Sequence, residues 1–214
     1  MLTLYASARS SASWRVRIAL ACKGLHAELR PLNLRRDGGQ QHQPAFLALN
    51  PQGMVPCLVD GDRILTQSIA ICEYLEERHP QPALLPSDPV QRAQVRAFVQ
   101  AIACDIHPLD NLRVLQYLKD PLGLAQEQID TWYRHWIDTG FSALESGLAQ
   151  RSARDRCFGA ELTLADVFLV PQVGNARRLN MDLGPYPHIV AIDAALACLP
   201  AFAQSVPARQ PDFS

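Results

Sequence analysis

The chain lacks an excess of either charge. Lysine and arginine total 20 against 21 aspartate and glutamate, a formal net charge of −1. A dedicated nucleic-acid binder presents a strongly basic face, so that class is set aside, while a local basic pocket for a small acid stays open. Long apolar runs are also missing, because each is broken by Arg, Gln or Pro before it reaches the length of a membrane span. The opening MLTLYASARS has neither the charged nor the extended apolar region of a secretory signal. A cytoplasmic protein is expected, with no membrane and no nucleic acid among its partners. No two of the cysteines Cys22, Cys57, Cys72, Cys104, Cys157 and Cys198 stand at C-x-x-C spacing. Neither a zinc site nor a redox dithiol is signalled, and the thiols read as small buried hydrophobes in a reducing compartment. What is present is ample core material: 48% hydrophobic and 19% charged residues over 214 positions. That suits one large domain or two small ones.

The apolar run 2–5 predicts a buried strand. The segment 13–23 has Val16, Ala19, Leu20 and Lys23 at helical spacing, with Gly24 as its stop. The alternation of 27–34 predicts a second strand, confined to an edge by Pro31. RRDGGQQHQPAF reads as loop, and VPCLVDGDRIL as a hairpin around Asp60-Gly61. A helix carrying Ile69, Cys72, Leu75 and Glu76 on one face closes at Pro80. The order β-α-β, hairpin, helix is the thioredoxin-like plan. The proline-rich PQPALLPSDP marks a boundary. Beyond it only helical patterns follow, one with an apolar stripe of Val90, Val95, Phe98, Ile102 and Ile106, another opening on a Thr163–Asp166 capping box. The reading is α/β plus all-α: residues 1–80 a thioredoxin-like domain, 81–87 a linker, 88–214 a helical domain.

Several side chains exceed what packing requires. Ser10 and Ser11 precede a helix that Ser13 can cap. Surplus hydroxyls at a positive helix end can hold a thiolate, lowering a thiol from about 8.5 toward neutrality; two units are about 2.7 kcal/mol. Gln67 and Ser68 stand at another helix start, suited to capping and to holding a carboxylate. Pro56 is expected trans on base rates, whereas a cis Val55–Pro56 bond would turn Val55's backbone toward an extended peptide. Arg9, Arg113 and Arg178 lie at element ends or on polar faces, where most arginines are merely solvated but an anionic substrate would be gripped bidentately. His107 reads as a helix-end residue and Asp166 as structural.

The motifs RSSASWRVRIALACKG, GQQHQPAFLALNPQGMVPCL, TQSIAICEYLEE, PALLPSDP, TLADVFLVPQV, DLGPYPHI and the closing QPD run in order across nearly the whole chain. Together they resemble the zeta class of glutathione transferases, the maleylacetoacetate isomerase family. The resemblance implies the glutathione transferase fold, a thioredoxin-like glutathione-binding domain with a C-terminal helical domain, usually a homodimer. It implies that Ser10 stabilises the glutathione thiolate with Ser11 beside it, and that Val55 and cis-Pro56 pair with the tripeptide backbone. Gln67 and Ser68 take its γ-glutamyl carboxylate, Gln41 or His42 the glycyl end. Arg9, Arg113 and Arg178 approach an acidic substrate, and His107 and Asn111 line the helical side as further glutathione-binding residues. The implied substrate is a cis-unsaturated diketo diacid, and glutathione is a cofactor that adds through sulfur and is returned. No metal is implied.

One position departs from the pattern. The family signature reads Ser-Ser-Cys-Ser-Trp, and Ala12 stands in place of the cysteine. The working sulfur is then that of glutathione itself. Maleylacetoacetate in tyrosine and phenylalanine breakdown is the expected substrate. The alternatives are maleylpyruvate in the gentisate pathway, whose isomerases also lack that cysteine, and general zeta-class conjugation. A non-catalytic binding module has no need of the intact Ser10, Ser11, Gln67 and Ser68 set.

Overall fold

A computed structural model of the chain describes residues 1–151 and 155–213. Leu2–Ala6 (β1) is the strand that the apolar opening predicts. It pairs in parallel with Ala27–Pro31 (β2) and antiparallel with Cys57–Asp60 (β3), which turns back into Arg63–Thr66 (β4). The sheet order is β2-β1-β3-β4, so Pro31 lies on an edge, where a missing N–H costs no ladder bond. β2 ends at Pro31 and not at Leu34. Asn33 Oδ1 accepts the amides of Arg35 and Arg36 at 3.0 and 2.9 Å and bends the chain away from the sheet. In the hairpin Asp60 pairs with Arg63, which leaves Gly61 and Asp62 as the loop. The φ of +59° at Gly61 fits a type II′ turn.

Ser11–Cys22 (α1) connects β1 to β2, and Ser68–Arg78 (α3) follows β4 and packs on α1. Leu4, Val16, Ile18, Leu58, Ile71, Cys72 and Leu75 form this core. Ile71 takes the core position expected of Ile69, which lies half-buried in the first turn of α3. Lys23 caps the C-terminal end of α1. Its Nζ is 2.7 Å from Glu76 Oε2 and donates to the carbonyls of His79 and Pro82 at 2.7 and 2.9 Å. The expected loop 35–46 holds 3₁₀ turns at Arg36–Gly38 and Gln40–His42 and a single helical turn, Pro44–Leu47 (α2). Pro44 presets that turn, and Phe46 buries against Tyr5 with ring centroids 5.9 Å apart.

The helical part comprises Pro89–Gln100 (α4), Leu112–Lys119 (α5), Gln126–Ala149 (α6), Leu164–Arg178 (α7) and Pro187–Ala197 (α8). α4 runs into a π-helical segment, Ala101–Ile106, in which the His107 N–H bonds the carbonyl of Ile102. Val95, Phe98, Ile102 and Ile106 are buried as expected. Val90 is not: at 65% exposure it lies in the first turn, ahead of the packed stripe. A Cβ on Gly140 would overlap Ile106 Cδ1 and Cγ1, so glycine is what lets α6 approach the π segment. The capping box of α7 is complete. Asp166 accepts from Thr163 N and Oγ1 at 2.8 and 3.0 Å and from Cys157 N at 2.8 Å.

The chain divides into two compact units, Met1–Ala83 with Ala197–Ser214, and Leu84–Leu196. The final segment, which includes Pro200–Ala203 (α9), belongs with the sheet and not with the helical domain of 88–214 drawn from the sequence. The reason is specific: α9 packs on α1, and Arg17 Nε donates to the Ser205 carbonyl at 3.2 Å. Among the described residues no helix is long and apolar enough to cross a membrane.

Candidate active site

In the sheet unit the first set of candidates is the turn from β1 into α1. Ser10 is the N-cap: its Oγ accepts the Ser13 N–H at 3.2 Å. This reverses the assignment of the cap to Ser13. Ser13 is buried within the helix, where its Oγ accepts the Ser7 N–H at 3.4 Å. The two functions of Ser10 are compatible, because an oxygen that accepts through a lone pair keeps its own O–H to donate. Ser11 is the first helical residue and is buried. No acidic residue lies in the first turn, so the positive end of α1 is not neutralised from within the helix. Arg9 is exposed, with its guanidinium carbon 5.1 Å from the centroid of the Phe213 ring. Ala12 sits in the same turn at 9% exposure.

A second set lies around β3 and the start of α3. Val55 stands just outside the ladder, which begins where Cys57 pairs with Thr66, and the Val55–Pro56 bond is cis, as the resemblance implies and not trans as expected for an X–Pro bond in general. Gln67 adopts φ +68°, ψ +120° at the head of α3, a conformation that costs a non-glycine residue energy and concentrates at functional sites. Its amide donates to Gln52 Oε1 at 2.9 Å. Ser68 is buried, and its Oγ accepts from Arg15 Nη1 at 3.3 Å, which directs the Ser68 proton away from Arg15. Arg15, an α1 residue at 1% exposure, thereby links the two helix starts. Of the pair read for the glycyl end, Gln41 is buried with its amide donating to the Leu34 carbonyl at 3.3 Å, while His42 is exposed beside Gly53.

The helical unit holds the rest. His107 terminates the π segment, Asn111 caps α5 by accepting the Arg113 N–H at 3.1 Å, and Arg113 is exposed. Arg178 Nη2 donates to Tyr133 Oη at 2.9 Å and to Asn175 Oδ1 at 3.0 Å. Beside it lies Asp110, buried, with neither carboxylate oxygen hydrogen-bonded among the described residues. Burial pushes this carboxyl up to about 8 against the opposing charge of Arg178. Burial likewise raises the Tyr133 phenol, again opposed by Arg178. Sequence reasoning missed Arg15, Asp110 and Tyr133. Only Arg15 had a signal, a charged residue between the apolar Trp14 and Val16 of α1.

Glutathione fits the sheet unit on these observations. Ser10 offers a hydroxyl proton at a helix start whose first turn holds no acidic residue. Ser68 offers another, oriented by a buried cation, and Val55 offers backbone outside the ladder.

Residues 4–83 match the family model of the glutathione S-transferase N-terminal domain. A probable maleylacetoacetate isomerase of Vibrio cholerae is 51% identical over 211 residues, covering 99% of this chain and 98% of that one. A holo structure of maleylpyruvate isomerase, a bacterial zeta-class glutathione S-transferase, has a TM-score of 0.96 at 46% identity over 99% of this chain and 100% of that one. A maleylacetoacetate isomerase from Methylobacterium extorquens AM1 with bound malonate and glutathione has a TM-score of 0.93 at 40% identity, covering 98% of each chain. The chain belongs to the glutathione S-transferase family. Within that family it belongs with the zeta-class maleylacetoacetate and maleylpyruvate isomerases.

Proposed function

We propose that the protein is a glutathione-dependent cis–trans isomerase of maleylacetoacetate, working as a cytoplasmic homodimer in tyrosine and phenylalanine catabolism. The observation that carries this reading is the Ser10 hydroxyl, set at the start of an α1 whose first turn contains no acid. Glutathione, when bound, supplies the sulfur nucleophile that converts the conjugated cis double bond transiently to a rotatable single bond. The protein's part is to hold and orient. Ser10 donates a hydrogen bond through its O–H to the sulfur and favours its anionic form, with Ser11 and the α1 N–H groups adding to the same field. Val55 and Pro56 present backbone to the tripeptide, Gln67 and Ser68 take its γ-glutamyl carboxylate, and His42 its glycyl end with Gln41 fixing the loop behind it. Arg9, Arg113 and Arg178 bind the carboxylates of the diacid, and His107 and Asn111 line the helical side.

Ala12 favours a second reading, maleylpyruvate as the substrate. Assay of the purified protein on both diacids, with and without glutathione, tests both. Turnover that needs glutathione and is faster on maleylacetoacetate supports the first reading. A preference for maleylpyruvate selects the second, and equal rates without glutathione overturn the mechanism. Ser10→Ala is expected to lower kcat/KM about 100-fold at neutral pH, the loss typical of one anion-stabilising donor, with partial recovery at alkaline pH. Unchanged turnover at neutral pH removes Ser10 from its assigned role.

A further inference from the structure

The turn 7–10, which carries Arg9 and Ser10, is not held by its own neighbours alone. Ser7 N–H goes to Ser13 Oγ, and the Ser7 carbonyl accepts from Ser10 N at 3.1 Å and from Arg17 Nη1 at 3.3 Å. The Ala8 carbonyl accepts from Arg17 Nη2 at 3.1 Å. The Ala8 N–H, on a residue 2% exposed, donates to Asp212 Oδ2 at 2.8 Å. Arg17 is in turn fixed by the Ser205 carbonyl. Two anchors of the N-terminal turn therefore come from the far end of the chain. That end is itself shaped: Gln210 Nε2 donates to the Val206 carbonyl at 3.1 Å, and the Phe213 N–H returns to the Gln210 carbonyl at 3.1 Å. The Phe213 ring then lies against the guanidinium of Arg9.

We infer that the segment 205–213 is a strap that positions the catalytic turn, with Asp212 setting the backbone that presents Ser10 and Phe213 setting the direction of Arg9. The inference rests on the roles proposed above for Arg9 and Ser10. Asp212 and Phe213 act as positioning residues. Asp212 gives a buried backbone N–H a charged acceptor, a bond stronger than a neutral one, and without it that N–H is buried unpaired. The charge of Asp212 also supports Arg17, whose guanidinium burial pulls down to about 10. Phe213 restricts a long, exposed side chain through a cation–π contact, so the arginine meets an anion with less rotamer freedom to lose.

The test uses the full-length protein, with hydrogen exchange of the ligand-free form as a readout independent of activity. Asp212→Ala should speed exchange of the Ala8 amide about tenfold, lower kcat about tenfold and move the rising limb of its pH profile upward. Asp212→Asn, which keeps an acceptor oxygen, should restore most of each. Phe213→Ala should raise KM for the diacid about threefold with glutathione affinity unchanged, and Phe213→Tyr should restore it. Should Asp212→Ala fail to fold, Asp212→Asn and Phe213→Ala still decide the matter through exchange and KM. Arg9→Ala separates the two levels. If it leaves KM for the diacid unchanged, the reading of Arg9 fails; if it raises KM while Phe213→Ala does not, the strap fails alone. An unchanged Ala8 exchange rate in Asp212→Ala also overturns the strap.

Discussion

The buried cations of the sheet unit and the buried Asp110 of the helical unit are held differently. In the sheet unit every buried cation has a stated task. Lys23 meets Glu76 and two carbonyls, Arg17 spreads its guanidinium over the carbonyls of Ser7, Ala8 and Ser205, and Arg15 reaches Ser68. In the helical unit the knot of Tyr133, Asn175 and Arg178 leaves the buried Asp110 carboxyl with no hydrogen bond among the described residues. A buried polar network is rigid when its members are satisfied, and an unsatisfied member is a reservoir of unfavourable energy. The buried cations of the sheet unit each have a hydrogen-bonded partner, while Asp110 in the helical unit, raised to about 8, has a charge state unsettled near neutral pH.

Breaking the matched side should have the largest effect. Lys23→Met leaves Glu76 buried without its cation, which costs about 3–5 kcal/mol. Thermal unfolding should fall by roughly 10 °C. Adding Glu76→Leu should recover most of the loss, because a hydrophobic pair replaces a buried ion pair at little net cost. A single-variant loss below about 1 kcal/mol, the range of a surface pair, would show that the sheet unit does not depend on this match.

A smaller effect, opposite in sign, is expected on the unmatched side. The Asp110 carboxyl is raised to about 8, so the folded protein binds this proton more tightly than the unfolded chain, where the group titrates near 3.9. The stability it allows is complete below about pH 4 and is lost as pH rises through about 8. Asp110→Asn should flatten that dependence and at pH 9 should melt about 4 °C above the parent, on the order of 1–2 kcal/mol. Parallel melting curves for the two proteins across pH 5–9 would place the carboxyl in its ordinary range. Arg178 and Tyr133 are the charged and titratable groups acting on Asp110. If Arg178 takes a substrate carboxylate as proposed, the Asp110 anion competes for it above pH 8, so KM should rise in the parent and stay level in Asp110→Asn.

This contrast also decides what was legible in the sequence. The hairpin and the starts of α3 and α7 are local events, announced by the turn at Gly61, Ser68 and Thr163–Asp166, and each appears where the pattern put it, whereas β2 stops three residues early at Pro31. The clustered serines before α1 offered more than one possible cap. Tertiary burial of Ser13 against the Ser7 amide settled the matter in favour of Ser10, which no local signal could do. α2 was hidden in a polar stretch because a single buried ring, Phe46 on Tyr5, stabilises it. Val90 matched the stripe by spacing, yet the packed surface begins later. The least legible features join distant residues: Asp110 with Arg178, Ala8 with Asp212, Arg15 with Ser68. No period or spacing encodes such pairs.

The smallest expected effect concerns Ala12, in the same turn as Ser10. At 9% exposure its Cβ is nearly enclosed, so a cysteine adds one sulfur at a tight but not sealed position. Its thiol would sit at the start of α1, whose first turn holds no acidic residue, and would ionise more readily than a free cysteine. If glutathione's sulfur alone does the chemistry, Ala12→Cys should change kcat by less than about twofold, within the range of a neutral substitution, and the dependence on glutathione should remain absolute. Should the cysteine variant turn over the diacid without glutathione, the start of α1 activates whatever sulfur is placed there. The start of α1 would then be a thiolate site first and a glutathione site second.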